Sequence, residues 1–203
     1  MHLSEGILSG PVLAGGAIFA ALGVAKGLRA MEDDDIPRTA ILTTAFFVAS
    51  LIHVPIGPAS IHLILSGLCG LLLGWRTFPA LLVALFLQAI LFGFGGLTVL
   101  GVNTFILATP AVALGLIGRT WLQASAIDPR RAAICGALVG SISILFSGLL
   151  AAGALALSAR SFIGAAGFLL AAHAPLMVVE GILTAGIATF LARVRPELFT
   201  GNR

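Results

Sequence analysis

Polar residues are so sparse along this chain that its pattern is one of apolar runs and their interruptions. Seven runs stand out, at about 8–28, 39–54, 59–74, 79–97, 103–121, 132–157 and 173–192. A membrane-spanning helix takes about 20 apolar residues, so most of these runs can cross a bilayer. The second and third are short and are parted by Val54-Pro55-Ile56-Gly57-Pro58, where two prolines and a glycine cannot continue a helix and the chain turns. Residues 158–172 are apolar but rich in Ser, Gly and Ala, and read as a short surface helix. Counted as a span, they give an eight-span alternative. The pattern therefore predicts an all-α membrane protein: a polytopic bundle of about seven transmembrane helices, forming a single transmembrane domain over 1–203.

Composition sharpens this by exclusion. Of the 203 residues, 59% are hydrophobic and 9% charged, against about a quarter charged in soluble domains. That excludes a water-soluble enzyme, a nucleic-acid binder and a disordered chain. The basic residues are scattered, so the net charge of +3 points to no nucleic-acid partner. Cys69 and Cys135 each lie inside an apolar run and read as buried thiols rather than a disulfide or a metal motif. The start carries His2 and Glu5 but no Lys/Arg-rich segment before its apolar run. It lacks the usual signs of a signal peptide, and the first span is expected to remain in the mature protein.

Lys and Arg placement sets the expected orientation, because cytoplasmic loops carry the excess of both. With the N-terminus outside and seven spans, Lys26, Arg29, Arg38, Arg76, Arg119, Arg130, Arg131, Arg193, Arg195 and Arg203 all fall inside, and only Arg160 falls outside. The C-terminus is then cytoplasmic. On the same map His2, His53, His62 and His173 all lie towards the outer side.

The first two residues carry the sharpest chemistry. A large second residue, His2, preserves Met1 from aminopeptidase removal. The α-amine and the imidazole both hold usable lone pairs near neutral pH. The Met1 amine, the deprotonated His2 amide and His2 Nδ1 close a five-membered and a six-membered chelate ring. Three nitrogens then lie nearly in a plane, with a fourth corner for a histidine from elsewhere, best His62. Planar N4 coordination suits Ni(II) or Cu(II) and can hold Co(II), whereas Zn(II) prefers a tetrahedron. Glu5 can orient His2, neutralise the cation, or cap the helix start. His53 reads as a supporting or interfacial group, His173 as interfacial, and Ser60 and Asn103 as outer polar groups near the metal. Asn103 follows a glycine-marked loop, Gly95 to Val102. Glu180 is the one acidic residue deep in a span, two helical turns after His173; a bond within the bundle is the expected reason for its presence.

Small residues recur every fourth position at Ala17, Ala21 and Ala25, and at Gly136 and Gly140. Such ridges permit close helix packing inside the bundle or docking to a partner. The acidic stretch Glu32 to Asp35 reads as a solvated inner loop. No GxxxxGK[ST] phosphate loop occurs, so active transport needs an ion gradient or another subunit. Two inverted halves are not evident either, which favours a subunit of a larger machine.

Three stretches carry a family likeness. Met1-His2-Leu3-Ser4-Glu5-Gly6, His53-Val54-Pro55-Ile56-Gly57-Pro58-Ala59-Ser60-Ile61-His62-Leu63 and Phe94-Gly95-Gly96-Leu97-Thr98-Val99-Leu100-Gly101-Val102-Asn103-Thr104 resemble the CbiM/NikM family. These are the cobalt and nickel substrate-capture components of energy-coupling factor transporters. The resemblance implies a seven-helix fold whose start dips into the bundle, in the cell (inner) membrane. It implies Met1, His2 and His62 as ligands of Co(II) or Ni(II), the transported substrate, with no organic cofactor. It also implies a transmembrane coupling protein, two ATPase subunits and often a small accessory membrane protein, and no catalysis in this chain. Gly57-Pro58-Ala59-Ser60 departs from the Gly-Gly-Thr-Ser of many cobalt members and leaves cobalt against nickel open. Two other readings compete. One is a stand-alone metal carrier driven by a gradient, with Glu180 and His173 as a proton relay. The other is an intramembrane hydrolase using Ser60 and a histidine, opposed by the poor facing of Ser60 and His62 on a regular helix.

Overall fold

The computed structural model describes residues 3–56, 59–124 and 127–200. Its helices are α1 (Gly10–Arg29), α2 (Ile36–Ala49), α3 (Ser66–Leu73), α4 (Thr77–Phe92), α5 (Leu100–Gln123), α6 (Pro129–Ser158), α7 (Ile163–Val194) and the short α8 (Glu197–Thr200). Between α2 and α3 lies an antiparallel hairpin of β1 (His53–Ile56) and β2 (Ala59–His62).

Local sequence accounts for most boundaries. Prolines open α1, α2 and α6, where their missing N–H costs nothing. Lys26 and Arg29 close α1, a favourable placement at the negative end of the helix dipole. Gly93, at φ 67°, ends α4 in the left-handed conformation. Pro110 and Pro175 sit inside α5 and α7, as membrane helices tolerate when neighbours hold the freed backbone.

Polarity runs inside out. Large apolar side chains such as Ile18, Leu22, Ile90, Leu91, Ile117, Ile182 and Phe190 are exposed, while Gln88, Ser143, Ser147, Glu180 and Thr184 are wholly buried. A soluble domain would aggregate with that surface; a bilayer solvates it. Five helical stretches are long and apolar enough to cross a membrane: Gly10–Arg29, Ser66–Phe92, Leu100–Gln123, Pro129–Ser158 and Gly167–Val194. The Ser66–Phe92 stretch is not straight. At Gly74 (φ 58°) the chain leaves α3 through a 3-10 turn, Gly74–Arg76. It then reverses, since the segment before α3 and the far end of α4 both reach Ser50, through His62 and Gln88 respectively.

The bundle is centred on α3, all eight of whose residues are buried. Its closest neighbour is α5: a Cβ on Gly70 would lie 1.9 Å from the Ala111 carbonyl oxygen, and one on Gly115 only 2.2 Å from the Gly70 carbonyl carbon. The α6–α7 pair is also close, with Gly136 and Gly140 against the backbone oxygens of Thr184 and Glu180 at 2.7 Å from each ideal Cβ. The glycine ridge on α6 thus serves internal packing. The alanine ridge on α1 is only partly used this way: Ala17 packs on Gly101 of α5, whose ideal Cβ would lie 2.6 Å from Ala17 Cα, while the ridge also lines an open groove continued by Leu28 and Leu82.

Four sequence expectations change here. The second and third runs are not helical to their predicted ends, because residues 53–56 pair with 59–62 as antiparallel strands instead; prolines at 55 and 58 remove the donors a helix needs. The expected surface helix at 158–172 is largely the first turns of α7, which continues without a break through Pro175. His173 therefore lies well inside a helix rather than at its start. It is buried, with its ring against Gly148 of α6 and Nδ1 2.5 Å from the Leu169 carbonyl oxygen, so it is interior rather than interfacial. Finally, Ser60 and His62 stand on a strand, where alternate residues share a face, so the helix-based objection to their pairing does not apply.

Candidate metal-capture site

The segment after His2 is folded back into the bundle. Leu3 N–H donates to Asn103 Oδ1 at 3.0 Å, and Asn103 Nδ2 donates to the Leu3 carbonyl at 3.1 Å. One carboxamide thus satisfies both main-chain groups of Leu3, as a neighbouring strand would. Asn103 can do so because it stands in the first turn of α5, its own N–H bonded to the Val99 carbonyl. Leu3 and Leu8 are buried with Val99, Val102 and Ile106. At Gly6 the backbone turns with φ 77°, a value that glycine takes at no steric cost.

Glu5 ties the same segment to the loop between α4 and α5. Its Oε1 accepts the Thr98 N–H at 3.0 Å. The carboxylate occupies the place a side chain on residue 96 would take: an ideal Cβ on Gly96 falls 2.0 Å from Glu5 Cγ, and Gly96 has φ 131°. Two reasons thus require glycine there, one steric and one conformational. The Thr98 hydrogen bond holds the Glu5 carboxyl below its ordinary value. A depressed carboxyl contributes its stabilisation above the unfolded value and loses it as pH falls through the folded one. The Glu5–Thr98 contact is expected intact at neutral pH and lost as pH drops below the ordinary glutamate value of 4.5. Hydrogen exchange of the Thr98 amide checks this: its protection should fall on acidification in the wild type, and Glu5→Gln should remove most of that pH dependence.

His62 forms the other side. It is buried at the end of β2, its Nδ1 2.8 Å from the Ser50 carbonyl oxygen. With the proton on Nδ1, the ring's lone pair is on Nε2, the nitrogen a metal would take. Ser50 is itself held: its hydroxyl donates to the Phe47 carbonyl at 2.6 Å and receives Gln88 Nε2 at 2.5 Å. Gln88 was not singled out in the sequence, where a lone amide in an apolar run carries no motif. The His62 ring meets Phe94 edge-on, centroids 5.1 Å apart. Phe94 and Thr98 belong to one loop, so the N-terminal segment and His62 abut the same wall.

The hairpin register pairs His53 with His62 and Pro55 with Ser60. This brings His53 to the position across from the candidate ligand. The side chains of His53 and Ser60, like all of Met1 and His2, lie outside the described residues. Among the described residues no group of three His, Cys, Asp or Glu side chains could hold a metal.

These features define a class: a polytopic helical membrane protein in which the N-terminal segment and a buried histidine, His62, meet the loop between α4 and α5. The chain belongs to the CbiM family, described as the cobalt uptake substrate-specific transmembrane region, which matches residues 2–198. It is thus a membrane protein of the cobalt and nickel transport type. A Haemophilus influenzae protein, provisionally named a metal transport protein, is 45% identical over 98% of this chain and 96% of its own length. The fused nickel transport protein NikMN of Rhodobacter capsulatus is 32% identical over all of this chain, which spans 65% of that longer protein. The fold matches a crystal structure of a truncated transition metal transporter with a TM-score of 0.75 at 26% identity, covering 97% of this chain and 99% of that one.

Proposed function

We propose that this chain is the substrate-capture subunit of an ATP-driven importer of the energy-coupling factor type. It takes Co(II) or Ni(II) at the outer face through the Met1 amine, the His2 amide and imidazole, and His62. The observation that carries this reading is the reciprocal bonding of Leu3 to Asn103. It fixes the residue directly after His2 inside the bundle, against the loop that also meets His62. Asn103 and Glu5 hold the N-terminal arm, Ser50 and Gln88 hold the histidine, and His53 and Ser60 sit on the hairpin as supporting groups.

The chain acts as one transmembrane domain with seven passes in the cell (inner) membrane. Its amine end faces out and its C-terminus faces the cytoplasm. Cations favour this orientation. Arg38 and Arg119 donate to the Leu72 carbonyl at the far end of α3, Arg76 pairs with Asp35 at 2.5 Å, and Lys26 lies over the Trp75 ring at 3.6 Å. All of these gather at the end of α3 away from His62, as the positive-inside rule requires.

Without a phosphate loop of its own, the chain draws on two ATPase subunits through a transmembrane coupling protein, often with a small accessory membrane protein. The exposed Ala17-Ala21-Ala25 ridge suits the coupling protein, since small side chains let a partner helix approach closely. Inward release weakens the chelate by protonating its nitrogens. Reconstituted vesicles test the whole: metal uptake should require the partner subunits and ATP, and Ala21→Leu should reduce uptake without lowering metal affinity. Uptake by this chain alone under a pH gradient would instead establish the gradient-driven carrier.

A further inference from the structure

The Glu180 carboxylate is wholly buried, and it has no cation beside it among the described residues. It accepts the N–H of Ile64 at 2.5 Å and the N–H of Leu65 through both oxygens, at 2.9 and 3.0 Å. Ile64 and Leu65 are the link between β2 and α3, and Leu65 caps α3 in the left-handed conformation, φ 54° and ψ 23°. It is the one non-glycine residue at positive φ in the described chain. A bulky side chain is disfavoured there. Consecutive N–H groups around such a residue form a concave nest that binds an anion, and here the anion is supplied by α7. Gly140 of α6 packs 2.7 Å, from its ideal Cβ, against the Glu180 carbonyl oxygen, so the carboxylate is delivered from a tightly held backbone.

The direction in which β2 leaves this bend decides where His62, three residues earlier, stands. A carboxylate suits the task better than its amide: both of its oxygens accept, whereas glutamine would turn an NH2 group towards a backbone donor. We infer that Glu180 is a positioning residue for metal capture: by filling the Ile64–Leu65 nest it holds the left-handed bend that aims His62 at the metal. This rests on the reading of His62 as a ligand.

The test uses the full chain with its native start, purified in detergent, and titrates Ni(II) while recording its d–d absorption. Glu180→Gln should weaken Ni(II) binding by about 10–100-fold, as lost supporting contacts to metal ligands do, and should shift or broaden the absorption band. Glu180→Asp, which keeps the charge but shortens its reach, should move both readouts in the same direction by less, and it decides the matter if the glutamine variant does not fold. Leu65→Gly in the Glu180→Gln background should restore part of the affinity, because glycine adopts the bend unaided. Wild-type affinity and an unchanged band in both Glu180 variants, whatever their thermal stability, overturn the inference if His62→Ala has lost both. Unchanged binding in His62→Ala itself removes the ligand reading, and the inference with it.

Discussion

Adding two residues ahead of Met1 is expected to abolish high-affinity metal capture while leaving the bundle folded. The extension converts the α-amine into a peptide nitrogen, which has no basic lone pair, and the five-membered chelate ring cannot close. The remaining donors must then hold the metal without the arm that made the binding multivalent. Losing one arm of a linked set costs about 10²–10⁴-fold in affinity. The fold should survive because nothing upstream of Leu3 is needed for its anchors: Leu3 to Asn103, Glu5 to Thr98 and Ser9 to Ser158. Elemental analysis of both forms is the check, with thermal unfolding as the control. Near-stoichiometric cobalt or nickel in the extended protein would falsify the amine chelate.

His62→Ala comes next in size. It removes the proposed fourth nitrogen, and Ni(II) affinity should fall by more than the 10–100-fold typical of merely supporting groups, with loss of the planar Ni(II) absorption. Stability should also drop, for separate reasons. The Ser50 carbonyl loses its partner and the Phe94 ring loses its edge contact, together about 1–3 kcal/mol. Gln88→Leu separates the two effects. It removes the support of Ser50 while keeping the imidazole, so its affinity loss should be well below that of His62→Ala. Equal losses in the two variants would mean that His62 matters only through packing.

The readings that the sequence carried well were those set by local chemistry. Apolar runs gave the helices, and prolines and glycines gave their ends; Gly93 and Gly74 stop helices for reasons visible in one residue. His62 and Asn103 stood out because polar groups in a membrane segment are costly, and both are buried and hydrogen-bonded within the bundle. The hairpin was not legible. Pro55 and Pro58 announced a turn, but the pairing of His53 with His62 is a tertiary feature, and the link that follows the second strand bonds to Glu180, 116 residues from Ile64 in sequence. Nor was Gln88, whose role exists only because Ser50 is opposite it. The alanine and glycine ridges look alike in sequence, yet one lines an open groove and touches α5 through Ala17, whereas the other is closed against α7.

By itself, then, the sequence determined the class of this protein. A chain with 59% hydrophobic and 9% charged residues has no soluble solution, and hydrophobic transfer and backbone hydrogen bonding leave it helices in a bilayer. Its opening residues and the His62 stretch carried the family likeness. Tertiary structure alone decided how these segments are held: which carboxylate meets the strand exit, which carbonyl faces His62 Nδ1, and which amide clips Leu3. Those contacts join residues far apart in the chain. Their energies come from low-dielectric burial and from directional hydrogen bonds, neither of which exists until the helices have packed.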